Sequence, residues 1–301
     1  MTVPRRALPA ALLLAAAMLL PPLPAAGASP VAPGDGALTV SLDRAAPAQG
    51  DVVRVELRGT PPIDNAVLHW KGRPWPMRDC GTGCSEALAG IDLAEAPGRH
   101  TLSVLGRRSG VPIRADVEIA VRERPFPVQS LTIPKEKDVQ DAALLARVES
   151  EAKALRARFE SAPSAPSWAS PFLPPVPGFN PAHFGERRVI NGEPRSPHTG
   201  GDMNEPAGTP VSSIADGRVV FSGEQFFGGN EVVIDHGGGV LSMYFHLAER
   251  RVSEGMPVRR GDVIGAVGAT GRATGPHLHF GLRVTGARVD PASLPGLVDK
   301  R

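Results

Sequence analysis

The stretch Gly275-Pro276-His277-Leu278-His279-Phe280 carries the clearest indication of fold and chemistry in this 301-residue chain. Glycine followed by proline disfavours a helix here, so the histidines after it are expected on a β-strand. Strand side chains alternate between faces, which places His277 and His279 on one face, about 6.5 Å apart. Leu278 and Phe280 then point to the other face, toward a core. Two imidazoles on one face suit a metal site, although two surface histidines on an edge strand are the alternative.

A second histidine motif lies upstream, in His198-Thr199-Gly200-Gly201-Asp202. Its glycines oppose a helix, so metal ligands would come from a loop or a strand end. Imidazole and carboxylate are both zinc ligands, and one histidine of the downstream pair brings the number of protein ligands to three. The fourth position then stays open for water, whereas a structural zinc site is closed and usually rich in cysteine. The residue types therefore predict a catalytic zinc site.

A third histidine ends the segment Val240-Leu241-Ser242-Met243-Tyr244-Phe245-His246, which is predicted to be a strand after the turn signal His236-Gly237-Gly238-Gly239. His246 is a candidate for orienting or deprotonating the water at the metal, or for stabilising an oxyanion. A surface histidine at a strand end is the alternative.

The first 28 residues have the pattern of a secretory signal peptide, with Arg5 and Arg6 before the apolar run 7–20 and an A-x-A site at 26–28. An uncleaved membrane anchor is the alternative. No later segment has 18 uninterrupted apolar residues, so no transmembrane segment is expected in the mature chain. Removing Arg5 and Arg6 takes the formal charge of +2 to zero, which provides no basic footprint for nucleic acid.

Residues 37–122 show short alternating apolar runs separated by Gly, Pro and Asp, which predict a small β-sandwich of the immunoglobulin-like type as an accessory domain over 37–134. The close pair Cys80 and Cys84 indicates a disulfide in an exported protein, and a metal-binding pair is the alternative. Trp70 and Trp75 are expected to pack in a core or loop, with an aromatic platform for sugars as the alternative reading.

A helix is predicted over 138–160, with Asp138 as its N-cap, and its apolar face is expected to pack on a neighbouring domain. That face contains Leu145, Val148, Ala152, Leu155 and Phe159. A coiled coil with a partner is the alternative. Residues 161–178, rich in Pro, Ser and Ala, are predicted to be a linker that becomes the entry into a second domain, 179–296, which contains the histidine motifs.

These motifs, taken together, resemble the lysostaphin-type, or LytM-type, zinc endopeptidases over about residues 170–290. The resemblance rests first on His198-x-x-x-Asp202, Tyr244-x-His246 and the Gly275–His279 motif. It continues through Phe184-Gly185-Glu186-Arg187, Gly208-Thr209-Pro210-Val211, Ala215-Asp216-Gly217, Val232-Val233-Ile234-Asp235-His236-Gly237, Val258-x-x-Gly261 and Ile264-Gly265-x-x-Gly268-x-Thr270-Gly271.

The resemblance implies a mainly β protein, in which an antiparallel sheet carries a groove and peptide bonds of bacterial peptidoglycan are cleaved. His198, Asp202 and His279 match the zinc ligands, and His246 and His277 match the two catalytic histidines. Zinc would activate water while these two histidines handle protons and stabilise the oxyanion.

Three further expectations concern residues around this site. His183 is expected to line the groove at most, and His236 to be structural. Glycines such as Gly200, Gly201 and Gly281 are expected to let the substrate backbone approach the sheet.

Two functions remain open at this point. The first is an active endopeptidase acting in the periplasm or cell wall, where D-alanyl–diaminopimelate crosslinks are the expected bond and pentaglycine bridges the alternative. The second is a latent or non-catalytic wall-binding regulator of another hydrolase, in which the helix and linker cover the metal. Peptidoglycan peptide stems are the expected partner, and the oligomeric state has no signal in the sequence.

Overall fold

The computed structural model of the protein describes residues 38–131, 142–160, 164–169 and 171–296. The predicted signal peptide and the N-cap Asp138 lie outside these residues. None of the helices in the described ranges has the apolar length that a bilayer-spanning segment requires. Most of the secondary structure is antiparallel β-sheet, as predicted.

The N-terminal half is a sandwich of two antiparallel sheets, each four-stranded within the described residues. Its strands are β1 Thr39–Leu42, β2 Val52–Arg58, β3 Ile63–Trp70, β4 Arg73–Pro76, β5 Arg78–Gly81, β6 Cys84–Gly90, β7 Gly98–Arg108 and β8 Val111–Val121. One sheet has the order β1-β2-β6-β5 and the other the order β4-β3-β7-β8. On β2, Val53, Val55 and Leu57 are fully buried and the residues between them are not, because a strand with one covered face alternates. The immunoglobulin-like assignment stays a prediction.

The two tryptophans of this half belong to its core. Trp70 and Trp75 are each 3% exposed, and the Trp70 indole donates a hydrogen bond to the Gly90 carbonyl at 2.9 Å. Rings buried in this way offer no platform to a sugar, so core packing is the correct reading. Cys80 and Cys84 form the predicted disulfide, with their Cα atoms 5.1 Å apart.

The C-terminal half is built on one large antiparallel sheet with the path β12-β19-β16-β15-β14-β17. Its strands are β12 Gly200–Met203, β13 Pro210–Ser212, β14 Gly217–Gln225, β15 Gly229–Asp235, β16 Val240–Arg250, β17 Pro257–Val258, β18 Val263–Val267, β19 Leu278–Val284 and β20 Ala287–Val289. Leu278, Phe280 and Leu282 are fully buried in the core under one face of this sheet. This leaves His279 on the opposite face, which carries the groove. A short 3₁₀ helix, Pro291–Ser293, follows.

Helix α1, Ala142–Phe159, lies against this groove-bearing face farther along the sheet. Leu155 and Phe159 pack on the cluster formed by Val233, Leu241 and Met243. Leu145, near the start of the helix, is 51% exposed. Described residues therefore cover only the C-terminal part of the predicted apolar face.

The segment that the composition predicts to be a linker also contributes to the core of the large sheet. Trp168, Phe172 and Val176 are each only 2% exposed and belong to the main hydrophobic cluster. Proline, serine and alanine dominate the composition of 161–178, so the composition does not reveal these three apolar side chains. Their burial stabilises the contact between this segment and the large sheet.

The two halves make extensive contact. Val52 and Leu88 of the sandwich lie in the same hydrophobic cluster as the large sheet, and the Gly90 amide donates to Thr285 Oγ1 at 2.9 Å. A methyl group at Gly90 would collide with the Val284 carbonyl. Short strands β9 Val128–Leu131, β10 Arg187–Ile190 and β11 Glu193–Pro194 form a further small sheet between the halves, in which β9 and β10 are parallel.

Candidate active site

Three donor atoms converge where β12 and β19 pair. Asp202 on β12 is directly opposite His279 on β19, and its Oδ1 lies 2.8 Å from His279 Nδ1. His198, in the loop before β12, brings its Nε2 to 3.2 Å from the same oxygen. These atoms lie within 4.8 Å of one another, so the three side chains can hold a metal ion. Two imidazoles and a carboxylate are also a donor set that zinc accepts.

The orientation of His198 is determined by its other ring nitrogen. Its Nδ1–H donates to the backbone carbonyl of His183 at 3.0 Å, which leaves Nε2 as the atom that faces Asp202. A backbone carbonyl of this kind fixes the tautomer and ring angle of a ligating histidine. The His183 side chain itself has its Nδ1 3.1 Å from Glu186 Oε2 and is not among the described residues that line the groove.

Asp202 is partly buried and has two imidazole partners. Burial acts to raise its pKa, but hydrogen bonds and Coulombic attraction from His198 and His279 outweigh that effect and hold the pKa well below 3.8. Desolvation lowers the pKa of His279, so the cluster favours a carboxylate beside a neutral imidazole. These are the protonation states that metal binding requires.

His277 lies just before β19 and faces the same cluster. Its backbone amide donates to the Gly268 carbonyl at 3.1 Å, and its Nδ1–H donates to the Gly275 carbonyl at 2.8 Å. The remaining Nε2 is 3.9 Å from Asp202 Oδ1. The His-x-His pair therefore points to one face, as strand alternation predicts. His279 is hydrogen-bonded to the Asp202 carboxylate, and His277 lies farther from it.

His246 reaches the cluster through an irregularity in β16. Regular alternation would turn it to the buried face of Tyr244, but the pairing of β15 with β16 shifts register here and His246 has a positive φ of 60°. Its Nδ1–H donates to the Thr270 carbonyl at 2.9 Å, and its ring lies 4.7 Å from that of His277. Desolvation lowers the pKa of His246 to about 4, so the ring is neutral at pH 7.

All five predicted site residues line a single groove of about 330 Å³. The walls of this groove are formed by His198, Thr199, Asp202, Phe227, Gly228, Phe245, His246, Arg272, Ala273, Thr274, His277 and His279. None of the described residues of α1 is among them. Within the described ranges, the helix therefore does not cover the cluster.

The expected role of the glycines is wrong. A methyl group at Gly200 would lie 2.6 Å from the Phe280 carbonyl and 2.7 Å from His279 Nε2. Gly201 faces Pro181, and Gly281 would meet Met243 at 2.8 Å. These glycines are buried against the protein's own atoms, so they permit close packing around the ligands rather than the approach of a substrate backbone.

His236, in contrast, is fully buried away from the groove. Its Nδ1–H donates to the Asp216 carbonyl and its Nε2 is hydrogen-bonded to Ser242 Oγ, each at 2.8 Å. Desolvation lowers its pKa to about 4, as expected for a neutral ring within a polar network in the core.

Two functional features escaped the sequence reasoning. The Thr270 carbonyl accepts a hydrogen bond from His246, and Arg272 and Phe227, whose side chains stack at 4.3 Å, both line the groove. Thr270 belongs to a motif of the family resemblance, but no role followed from that motif, and the signal for Arg272 was its proximity in sequence to Gly275-Pro276-His277.

Comparisons with known proteins agree with this geometry. Residues 196–291 match the profile of peptidase family M23. Over 97 residues the chain is 50% identical to the DD-carboxypeptidase/endopeptidase Mpg of Neisseria meningitidis serogroup B, which is 32% of this chain and 22% of that protein. It is 46% identical over 95 residues to the peptidoglycan DD-endopeptidase ShyA of Vibrio cholerae, again 32% and 22%. The matched segment is thus under a quarter of either relative.

A solved structure extends the likeness beyond this segment. A crystal structure from Pseudomonas aeruginosa assigned to peptidase M23 shares 32% identity with a TM-score of 0.63, and the match covers 84% of this chain and 96% of that one. The likeness therefore includes most of the N-terminal half as well as the sheet with the groove. The chain belongs to peptidase family M23, a family of metallopeptidases.

Proposed function

We propose that the protein is a zinc endopeptidase that hydrolyses peptide crosslinks of bacterial peptidoglycan, with the D-alanyl–diaminopimelate bond as its target. The observation that carries this proposal is the convergence of His198 Nε2, Asp202 Oδ1 and His279 Nδ1 in an open groove, with two further imidazoles alongside. The names of the Neisseria and Vibrio relatives, DD-carboxypeptidase/endopeptidase and peptidoglycan DD-endopeptidase, support the choice of bond.

His198, Asp202 and His279 would hold the metal. Three protein ligands facing an open groove are typical of catalytic rather than structural zinc. When bound, zinc supplies Lewis-acid polarisation of the scissile carbonyl and lowers the pKa of a water molecule. The carbonyl of His183 keeps His198 in its ligating orientation.

His246 and His277 are assigned the movement of protons and the stabilisation of the oxyanion. Each ring uses Nδ1–H on a backbone carbonyl, that of Thr270 or Gly275, so each is left with Nε2 for the substrate or water. A neutral imidazole accepts a proton at Nε2, and the resulting cation donates it to the departing amine. The same cation, while it exists, stabilises negative charge that develops on the carbonyl oxygen.

This function places the protein outside the cytoplasm, in the periplasm or the cell wall, after cleavage of residues 1–28. Peptidoglycan is found only there, and the basic and apolar pattern at the start of the chain supports export.

The test is hydrolysis of purified crosslinked muropeptide dimers by the zinc-loaded protein, with products weighed by mass spectrometry. We expect monomers to appear, a chelator to stop their formation, and their masses to identify the cleaved bond. Intact dimers with zinc retained would contradict the proposed substrate. Intact dimers with no zinc retained would instead favour the non-catalytic regulator.

A further inference from the structure

The turn that joins β14 to β15 forms part of the groove wall. It consists of Phe226, Phe227 and Gly228, of which Phe227 and Gly228 line the groove. The rings of Phe226 and Phe227 meet edge to face, with their centres 5.0 Å apart. Phe226 is not among the described residues that line the groove, so it contributes to this wall through its contact with Phe227.

Two backbone carbonyls of this turn hold neighbouring segments of the site. The Gly228 carbonyl accepts the His246 amide at 2.8 Å, and the Phe227 carbonyl accepts the Arg272 amide at 3.0 Å. His246 has a positive φ of 60°, a conformation that a residue other than glycine keeps only where its surroundings impose it. The bond to Gly228 is therefore one of the contacts that keep the His246 ring facing the groove.

Helix α1 holds the same turn through Glu151. Glu151 Oε2 accepts the Phe226 amide at 2.9 Å, and Glu151 Oε1 accepts from Arg147 Nε at 2.7 Å. The Arg147 guanidinium also lies over the Phe226 ring, with its carbon 5.8 Å from the ring centre. Arg147 thus orients the carboxylate and contacts the residue that the carboxylate binds. A hydrogen bond from a backbone amide to a carboxylate is stronger than one to a neutral acceptor, so this contact restrains the turn.

We propose that Glu151 of α1 is a positioning residue for His246. Its bond to the Phe226 amide fixes the turn, and the Gly228 carbonyl of the turn passes this restraint to the His246 backbone. This inference rests on the proposed function, which assigns proton transfer to His246. It makes α1 part of the catalytic apparatus, although none of its described residues lines the groove. An inhibitory cover would behave in the opposite way, because loosening a cover raises activity and loosening this contact lowers it.

The experiment compares hydrolysis of crosslinked muropeptide dimers by the zinc-loaded wild type, Glu151→Ala, Glu151→Gln and Glu149→Ala. Glu151→Ala leaves the Phe226 amide without its acceptor, so we expect kcat to fall about 10-fold or more while KM changes less than about threefold. Zinc content should stay the same. The amide oxygen of Glu151→Gln can accept the same bond, so most of the activity should return. Glu149→Ala, at an exposed position of the same helix, should match the wild type.

The choice of pH keeps a second effect of Glu151 out of this comparison. Glu151 contributes to the raised pKa of the buried Glu231, which is about 8. Desolvation is the larger cause and remains in every variant, so Glu231 stays protonated at pH 6. Assays at that pH therefore report the loss of the hydrogen bond and not a change in the charge of Glu231.

Four kinetic outcomes would overturn the proposal. The first is a rate for Glu151→Ala that equals or exceeds that of the wild type. The second is a loss confined to KM, which would make the turn a substrate contact alone. The third is a loss of zinc from Glu151→Ala, and the fourth is a Glu151→Gln variant that recovers none of the activity.

Amide hydrogen exchange, resolved by residue in NMR spectra without substrate, separates this proposal from the proposed function. We expect the His246 amide to exchange about 10-fold faster or more in Glu151→Ala, and to stay near the wild-type rate in Glu151→Gln and Glu149→Ala. A wild-type rate in Glu151→Ala would overturn the proposal even if hydrolysis is impaired. If exchange changes as expected but no protein hydrolyses the dimers, the proposed function fails while the positioning of His246 by Glu151 stands.

Discussion

Asp202 and Glu231 lie on the same sheet, and burial affects both carboxyl groups, yet their surroundings differ. Asp202 on β12 is hydrogen-bonded by two imidazoles. Glu231 on β15 is fully buried next to Gly228, and neither of its oxygens has a hydrogen-bond partner among the described residues. Burial acts to raise both pKa values, but partners reverse its effect only at Asp202.

The pKa values of the two carboxyl groups are shifted in opposite directions, so their charge states differ at neutral pH. Desolvation, with a contribution from the nearby Glu151 on α1, raises the pKa of Glu231 to about 8. Glu151 is itself engaged, because it accepts from Arg147 at 2.7 Å and from the Phe226 amide at 2.9 Å. Glu231 is thus a neutral acid at pH 7, while Asp202 stays charged. Glu231, a buried acid without partners, is neutral and suited to packing. Asp202, a carboxylate with two imidazole partners, is suited to metal binding.

The largest effect is expected when the charge of the metal cluster is removed. Asp202→Asn keeps the size of the side chain but replaces an anionic ligand with a neutral amide, so metal affinity and hydrolysis should both fall by about 10³-fold or more. Metal content after gel filtration and muropeptide cleavage measure the two losses. Asp64→Asn, at an exposed carboxylate of the sandwich, serves as the control and should leave both unchanged. Stoichiometric zinc in Asp202→Asn would show that metal binding does not need the charge that distinguishes Asp202 from Glu231.

The next effect separates the ligands from their neighbours. His277→Ala should lower the rate of cleavage about 10²- to 10⁴-fold while zinc stays bound, because its Nε2 adjoins the cluster without being needed as a ligand. His279→Ala should lose both zinc and activity. Full activity in His277→Ala would show that the role assigned to this residue is wrong.

A smaller effect is expected from crowding the cluster without changing its chemistry. In Gly200→Ala the new methyl group would lie 2.7 Å from His279 Nε2, so the ring must shift and zinc affinity should drop about 10- to 100-fold. In Gly275→Ala the methyl group enters open space, which makes this variant the matched control. Competition with a chromogenic chelator measures both affinities, and equal values would mean that the site tolerates the displacement.

The smallest expected effect concerns stability rather than activity. The folded pKa of Glu231, about 8, lies above its ordinary value of 4.5, so the folded state keeps a proton that the unfolded chain releases. The stability from this group is complete below pH 4.5 and is lost as the pH rises toward 8. Glu231→Gln cannot ionise, so it should be more stable than the wild type at pH 7 by up to about 3 kcal/mol.

Urea unfolding at several pH values tests this prediction, with Glu224→Gln on the same sheet as the exposed control. The advantage of Glu231→Gln should shrink as the pH falls from 8 toward 4.5, and the control should show none. An advantage that does not vary between pH 4 and pH 8 would mean that Glu231 ionises in the folded protein as it does in the unfolded chain.

Strand alternation was sufficient to predict part of the site. His277 and His279 share one face, and Leu278 and Phe280 are fully buried on the other. The pairing of Asp202 with His279 joins residues 77 positions apart, and the spacing of side chains along one strand contains no information on such a register. It was the resemblance to a family that grouped these two residues as predicted ligands before the structure showed them side by side.

Other features depend on neighbours that no local pattern specifies. His246 faces the groove because of a register shift against β15 and a positive φ, whereas regular alternation would bury it beside Tyr244. Glu231 occupies a position where a charged residue would ordinarily be assigned to the surface. The linker prediction for 161–178 did not foresee that Trp168 and Phe172 are buried, since composition averages over the few side chains that enter a core.

The cross-strand position of the ligands gives the metal a mechanical role. β12 is the outermost strand on the path of the large sheet, whereas His279 belongs to β19 in its interior. An ion held by all three predicted ligands would link β12 to β19, because it can bind only when these two strands are paired in the correct register. A ligand present at a thousand times its Kd stabilises the state that binds it by about 4 kcal/mol. Metal binding would therefore slow amide hydrogen exchange in β12. The supply of metal would then affect the stability of the fold as well as catalysis.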